Sequence, residues 1–125
     1  MAGFMDEALA AVELTREELL RLPWELGEVV AARSGPELAG FYWIEERDRT
    51  LHLHALLLEE RFRGRGLGAR VLRRLGEQYR GRVDAIELGV HERNRAARRL
   101  YDRAGFEVVR ERPEIGFTIM QRRLA

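Results

Sequence analysis

Cysteine and lysine are both absent from this 125-residue chain; asparagine and serine occur once each, as Asn94 and Ser34, and glutamine only as Gln78 and Gln121. Without cysteine there is no disulfide, no thiolate nucleophile and no zinc-thiolate site. Without lysine there is no Walker-type phosphate loop, no pyridoxal-phosphate Schiff base and no catalytic lysine, because each needs a primary amine side chain. The single serine falls in the turn sequence Ser34-Gly35-Pro36, which is a poor setting for a nucleophile. No apolar run approaches the roughly 20 residues that cross a bilayer. The N-terminal residues lack the basic segment and apolar stretch of a secretory leader. A soluble cytoplasmic protein with no membrane partner is therefore expected.

The 22 basic residues are all arginine and face 21 acidic ones, for a net charge of +1. Arg93, Arg95, Arg98, Arg99 and Arg103 crowd one segment, but a charge so near zero argues against nucleic acid as a partner. The length suits one domain spanning 1–125 with one core, and no repeat or linker divides it.

Hydrophobic periodicity gives the order of elements. Asp6 and the capping box Thr15-Arg16-Glu17-Glu18 open two helices within the first 27 residues. Strands are expected over 28–33, 38–45 and 50–58, separated by turns at Ser34-Gly35-Pro36 and Arg47-Asp48-Arg49. Leu67, Val71, Leu72, Leu75 and Tyr79 mark an amphipathic helix over 66–80, stopped by Gly81. A strand over 83–90 follows. Asn94 then caps a helix whose inward face is Ala97, Leu100, Tyr101 and Ala104, closed by Gly105. Strands over 106–110 and 117–122 end the chain, which makes an α/β (α+β) sheet of mixed direction.

Between the third strand and the long helix lies Arg63-Gly64-Arg65-Gly66-Leu67-Gly68. Glycines let a backbone turn tightly and approach a ligand, while unpaired amides at a helix start point toward negative charge. Arg63 and Arg65 could add charge-assisted hydrogen bonds. A plain glycine-rich connection fits the same residues. So does the loose dinucleotide fingerprint Gly64-x-Gly66-x-x-Ala69 with Glu87 about 20 residues on. A dinucleotide fold, however, would place this turn after the first strand of a larger parallel sheet, with more chain to follow.

On the strand that leads into the turn, strict alternation puts His52, His54, Leu56 and Leu58 on one face and Leu51, Leu53, Ala55 and Leu57 on the other. The two histidines, with pKa values ordinarily near 6.5, could pass a proton between them. They could equally be a hydrogen-bonded, solvent-facing pair. A metal site would need further ligands, and His91 is remote, so no metal is expected.

The pattern Arg63-x-x-Gly66-x-Gly68, followed by Asn94-x-x-Ala97-x-x-Leu100-Tyr101-x-x-x-Gly105-Phe106, resembles the signature of the GNAT acetyltransferases. The likeness spans roughly residues 28–124. Within that superfamily, Leu51-His52-Leu53-His54-Ala55-Leu56 looks like the corresponding strand of arylalkylamine N-acetyltransferases. The resemblance implies a GNAT-like, mostly antiparallel sheet flanked by helices, here without an evident first strand ahead of the N-terminal helices. It implies acetyl-CoA as acyl donor, no metal, and a small-molecule or peptide amine as acceptor.

By the same resemblance, the backbone of Leu56, Leu57 and Leu58 would pair with the pantetheine arm. Gly64, Arg65, Gly66, Leu67, Gly68 and Ala69, with Arg63, would hold the pyrophosphate. Asn94 would meet the cofactor near splayed strands, although it can also be read as a simple helix cap. Tyr101 would lie beside the sulfur, although it can also be read as a core aromatic. His52 and His54 would accept the amine's proton, and Tyr101 would donate to the departing thiolate. Direct attack in a ternary complex is the expected route. The alternatives are a peptide or protein N-alpha-acetyltransferase and a non-catalytic acyl-CoA-binding module. An acceptor wall could come from a second copy of the chain in a homodimer.

Overall fold

Two tight turns build the first half of the sheet. The computed structural model describes residues 27–124. The two helices expected in the first 27 residues, and the question of a strand ahead of them, fall outside the described residues. Strands β1 (Glu28–Ser34), β2 (Glu37–Arg47) and β3 (Thr50–Leu58) run antiparallel in sequence order. Asp48 and Arg49 both take positive φ, 51° and 59°, the backbone of a two-residue hairpin turn whose twist matches that of its strands. Arg47 pairs with Thr50 across that turn.

A single 3-10 turn, Glu60–Phe62, leads into helix α1 (Leu67–Tyr79), then β4 (Ala85–His91), helix α2 (Arg95–Arg103), β5 (Glu107–Arg112) and β6 (Phe117–Arg123). The six strands form one sheet in the order β1-β2-β3-β4-β6-β5. Among these described strands only the β3–β4 pair is parallel, joined through α1, as a crossover connection requires. The fold is thus the mixed, mostly antiparallel α+β arrangement expected, with each described element within a few residues of its expected bounds.

The core lies between the sheet and the two helices. Leu72, Leu75 and Tyr79 of α1 and Tyr101 of α2 share one buried cluster with Leu51, Leu53, Ile86, Leu88 and Met120 of the sheet. Leu72 and Leu75 are essentially inaccessible, so trimming either to alanine would cost about 2–5 kcal/mol. The helices meet where a Cβ on Gly68 would come within 2.8 Å of Leu100 Cδ2.

Two irregularities of β3 shape everything that follows. First, its parallel pairing with β4 stops at Leu53↔Leu88. Beyond it β3 stays with β2 as far as Leu58, and β4 stays with β6 as far as His91, so the two strands part. Second, the β2–β3 register steps from Trp43↔Ala55 to Ile44↔Leu53, which leaves His54 as an extra residue, a β-bulge.

The bulge corrects the alternation read from the sequence. Before it, Leu51 and Leu53 face the helices; after it, Leu56 does so, packed against the same core cluster. A one-residue step inverts every later side chain. His52 and His54 therefore lie on the face away from α1 and α2, while Leu56 and Leu58 lie on the helix face, not beside the histidines.

Candidate active site

The helix face carries a cleft of about 870 Å³ at the mouth of the fork, between the start of α1 and one side of α2. Its floor at one end is Leu56 and Leu58 of β3 with the buried Phe62. Arg63 Nε donates to the Leu58 carbonyl at 3.0 Å, which ties the turn to the strand end.

Gly64 and Gly66 adopt φ of 75° and 78°, a region that side chains with a Cβ enter only at a cost. Gly66 caps α1 in this left-handed conformation and contributes no side-chain bond to the helix. The first intrahelical bond runs from Arg70 N–H to the Gly66 carbonyl, 3.0 Å, so the amides of Leu67, Gly68 and Ala69 precede any helical acceptor. All three residues line the cleft, as do Gly64 and Gly66.

Six arginines also line it: Arg63, Arg73, Arg93, Arg99, Arg103 and Arg122. No carboxylate does so among the described residues. Lining arginines, a helix N-terminus and glycines at left-handed φ are the chemistry that suits a polyanion.

Asn94 and Tyr101 border the same space. The Asn94 side chain accepts from Ala97 N–H at 3.1 Å, so it caps α2 while facing the cleft. Tyr101 is nearly buried against Phe106, with ring centroids 5.9 Å apart. Burial pushes its phenol up to about 12. It keeps its proton at neutral pH and can act as a hydrogen-bond donor.

Two residues expected at the cofactor do not line the cleft. Leu57 turns its side chain into the opposite, buried face, although its backbone continues the strand between Leu56 and Leu58. Arg65 sits over the Phe62 ring, 5.6 Å from its centroid.

The far face of the sheet carries a row of polar side chains across four strands. His54 Nε2 lies 2.8 Å from Glu45 Oε1, and its ring rests on Trp43, centroid to centroid 4.4 Å. The His52 and His54 rings stack at 5.9 Å and 12°. His52 Nδ1 is 3.5 Å from Glu87 Oε2, and Gln121 Nε2 donates to Glu87 Oε1 at 2.8 Å.

Burial, and secondly the Arg47 charge, pulls the His52 imidazole below its ordinary pKa, against the opposing pull of Glu87. It is neutral at pH 7 and can accept a proton. The hydrogen bond from His54 holds the Glu45 carboxyl below the usual carboxylate range.

Sequence reasoning missed Glu45, Glu87 and Gln121 on this face, and Phe62, Arg73 and Arg122 in the cleft. The two-residue turn at Asp48-Arg49 would have placed Glu45 opposite His52. Nothing local marks Gln121 or Arg122, because the register of β6 against β4 brings them in.

The sequence model of the acetyltransferase (GNAT) family matches residues 4–106, and the chain belongs to that family. The N-alpha-acetyltransferase RimI of Mycobacterium tuberculosis is 38% identical over 84 residues, covering 64% of this chain and 52% of that protein. The chain thus spans about half the length of this curated relative. Among solved structures, the Pyrococcus horikoshii OT3 protein PH1933 shares the fold with a TM-score of 0.77 at 20% identity, over 98% of this chain and 88% of that one. A GNAT family acetyltransferase from Elizabethkingia anophelis, solved with acetyl-CoA bound, matches with a TM-score of 0.76 at 17% identity, over 95% and 89%. At these identities the structural likenesses establish the fold.

Proposed function

We propose that the protein is an acetyl-CoA-dependent N-acetyltransferase that passes the acetyl group directly to a primary amine in a ternary complex. The observation that carries this reading is the arginine-lined cleft with the Gly66-capped start of α1 at one end and Tyr101 bordering it. The family to which the chain belongs makes coenzyme A the fitting polyanion.

The pyrophosphate would accept from the amides of Leu67, Gly68 and Ala69, with Arg63 beside them. Arg65, standing over Phe62, would be the outermost of these contacts. Asn94 would reach the cofactor at the fork. The pantetheine arm would run along the backbone of Leu56, Leu57 and Leu58, adding a strand where β4 has parted from β3. The thioester would then enter the fork, where β3 and β4 have parted.

An alkylammonium with pKa near 10.4 is only about one part in a few thousand neutral at pH 7. His52 and His54 would take its proton, directly or through water. The neutral nitrogen adds to the acetyl carbonyl, and the adduct collapses with cleavage of the carbon–sulfur bond. A phenol at about 12 is too weak an acid to be left as phenolate beside a thiolate whose own acid lies near 8.5. Tyr101 therefore donates a hydrogen bond to the sulfur, and gives up its proton only as it gains the one leaving the adduct nitrogen. The products are the acetylated amine, coenzyme A as its thiol, and the proton taken by histidine.

The test is mass-spectrometric detection of acetylated product, with thiol release, from purified protein, acetyl-CoA and a panel of arylalkylamines, polyamines, amino acids and peptides. Binding of acetyl-CoA with no product from any amine would leave an acyl-CoA-binding module. The likeness to an N-alpha-acetyltransferase favours a second reading of the acceptor, a peptide or protein N-terminus. Peptides turning over faster than free amines would select it.

A further inference from the structure

We propose that Glu45 is a positioning residue that fixes the tautomer of His54, making Nδ1 of that bulged histidine the atom that takes the acceptor's proton. This rests on reading the site as an N-acetyltransferase and goes further by dividing the labour between the two histidines.

His54 occupies a singular place. It is the extra residue of the β3 bulge, without a partner in the β2 register. It is also the first residue beyond the last β3–β4 pair, Leu53↔Leu88. No other residue of β3 stands at both irregularities. It therefore stands on the far face at the point where β3 and β4 part.

Its ring is held on three sides: by Trp43 at 4.4 Å, by His52 at 5.9 Å, and at Nε2 by Glu45 at 2.8 Å. An ionised carboxylate can only accept hydrogen bonds. Nε2 must then carry the hydrogen, which leaves Nδ1 of the neutral ring as the acceptor. Among the described residues, the charged groups around this ring are Glu45 and Arg47 from β2, with Arg47 Nη1 3.5 Å from Glu45 Oε2, and Glu87 from β4 beyond His52. Once His54 takes the proton, Glu45 faces an imidazolium and stabilises it. His52, kept neutral and stacked on His54, is the next acceptor toward Glu87.

A structural ladder of polar side chains would show the same contacts but would not govern the proton. Long-range proton–nitrogen NMR correlation on the wild-type protein near pH 8 should find His54 protonated at Nε2 and bare at Nδ1. Glu45→Gln, which can offer an N–H to Nε2, should shift His54 toward the other tautomer. It should lower kcat by about tenfold or more with the KM for acetyl-CoA unchanged, and move the acid limb of the rate profile to lower pH. Glu45→Asp should recover part of the rate.

A wild-type His54 bare at Nε2, or a Glu45→Gln enzyme with kcat within about twofold of wild type and its acid limb in place, would overturn the proposal. The wild-type spectrum decides the tautomer even should a variant fail to fold. It also stands apart from the function: a protein that acetylates no amine refutes the N-acetyltransferase reading, whatever the tautomer.

Discussion

The two faces of the sheet at the fork use opposite chemistry. On the helix face, backbone amides and arginines gather with no carboxylate among the described lining residues. On the far face, two stacked histidines are flanked by carboxylates that already engage them. One face suits a permanent polyanion, the other a proton in transit. The difference teaches why a single β3 irregularity matters: the bulge at His54 assigns Leu56 and Leu58 to the first face and the histidines to the second.

Changes at the glycine turn and at the arginines of the cleft should alter cofactor binding and spare the pH profile. The largest effect is expected for Gly66→Val, which forces a β-branched residue into φ 78° at the mouth of the amide cradle. Acetyl-CoA affinity should fall by on the order of 100-fold in calorimetry. An affinity within threefold of wild type would mean the cofactor sits elsewhere.

Tyr101→Phe should lower kcat by about 10- to 100-fold while acetyl-CoA still binds. Equal losses in binding would make the tyrosine a packing residue only. The same phenol predicts alkaline behaviour. Its folded value of about 12 exceeds the ordinary value near 10, so the neutral form is favoured by folding. That contribution is complete below pH 10 and is lost as pH rises through 12, about 2–3 kcal/mol in all. Denaturant melts at pH 8 and 11 should show the loss in wild type and much less of it in Tyr101→Phe.

Arg73→Ala should weaken acetyl-CoA only about three- to tenfold, with a shallower dependence on salt. The smallest effect belongs to the far face. Folding favours neutral His52, because its pKa is lowered. Its contribution is present above the ordinary value near 6.5 and is lost as pH falls. The Tm of wild type should decline on going from pH 7 to 5, and that of His52→Asn should decline less.

Much of the helix face was legible in the chain because its signals are local. Gly66 at the helix start, Asn94 as a cap and the apolar stripe of α1 each act within one or two turns of backbone. The far face was legible only in part. His52 and His54 stood out, but their nearness to Glu45 was not read, although a two-residue turn at Asp48-Arg49 sets that register. Glu87 and Gln121 come from β4 and β6, whose pairing depends on strands 34 residues apart in the chain, so no local pattern announces them.

By itself the sequence determined which segments become helix or strand, where α1 begins with unpaired amides, and that no cysteine or lysine takes part in the chemistry. Those are properties of side-chain type and of short-range backbone geometry. Only the tertiary structure decided which way β3 turns its side chains. Register is a relation between strands, settled by the packing of Leu51 and Leu53 against α1 and of Trp43 against His54. One unpaired residue there reverses the faces that simple alternation assigns.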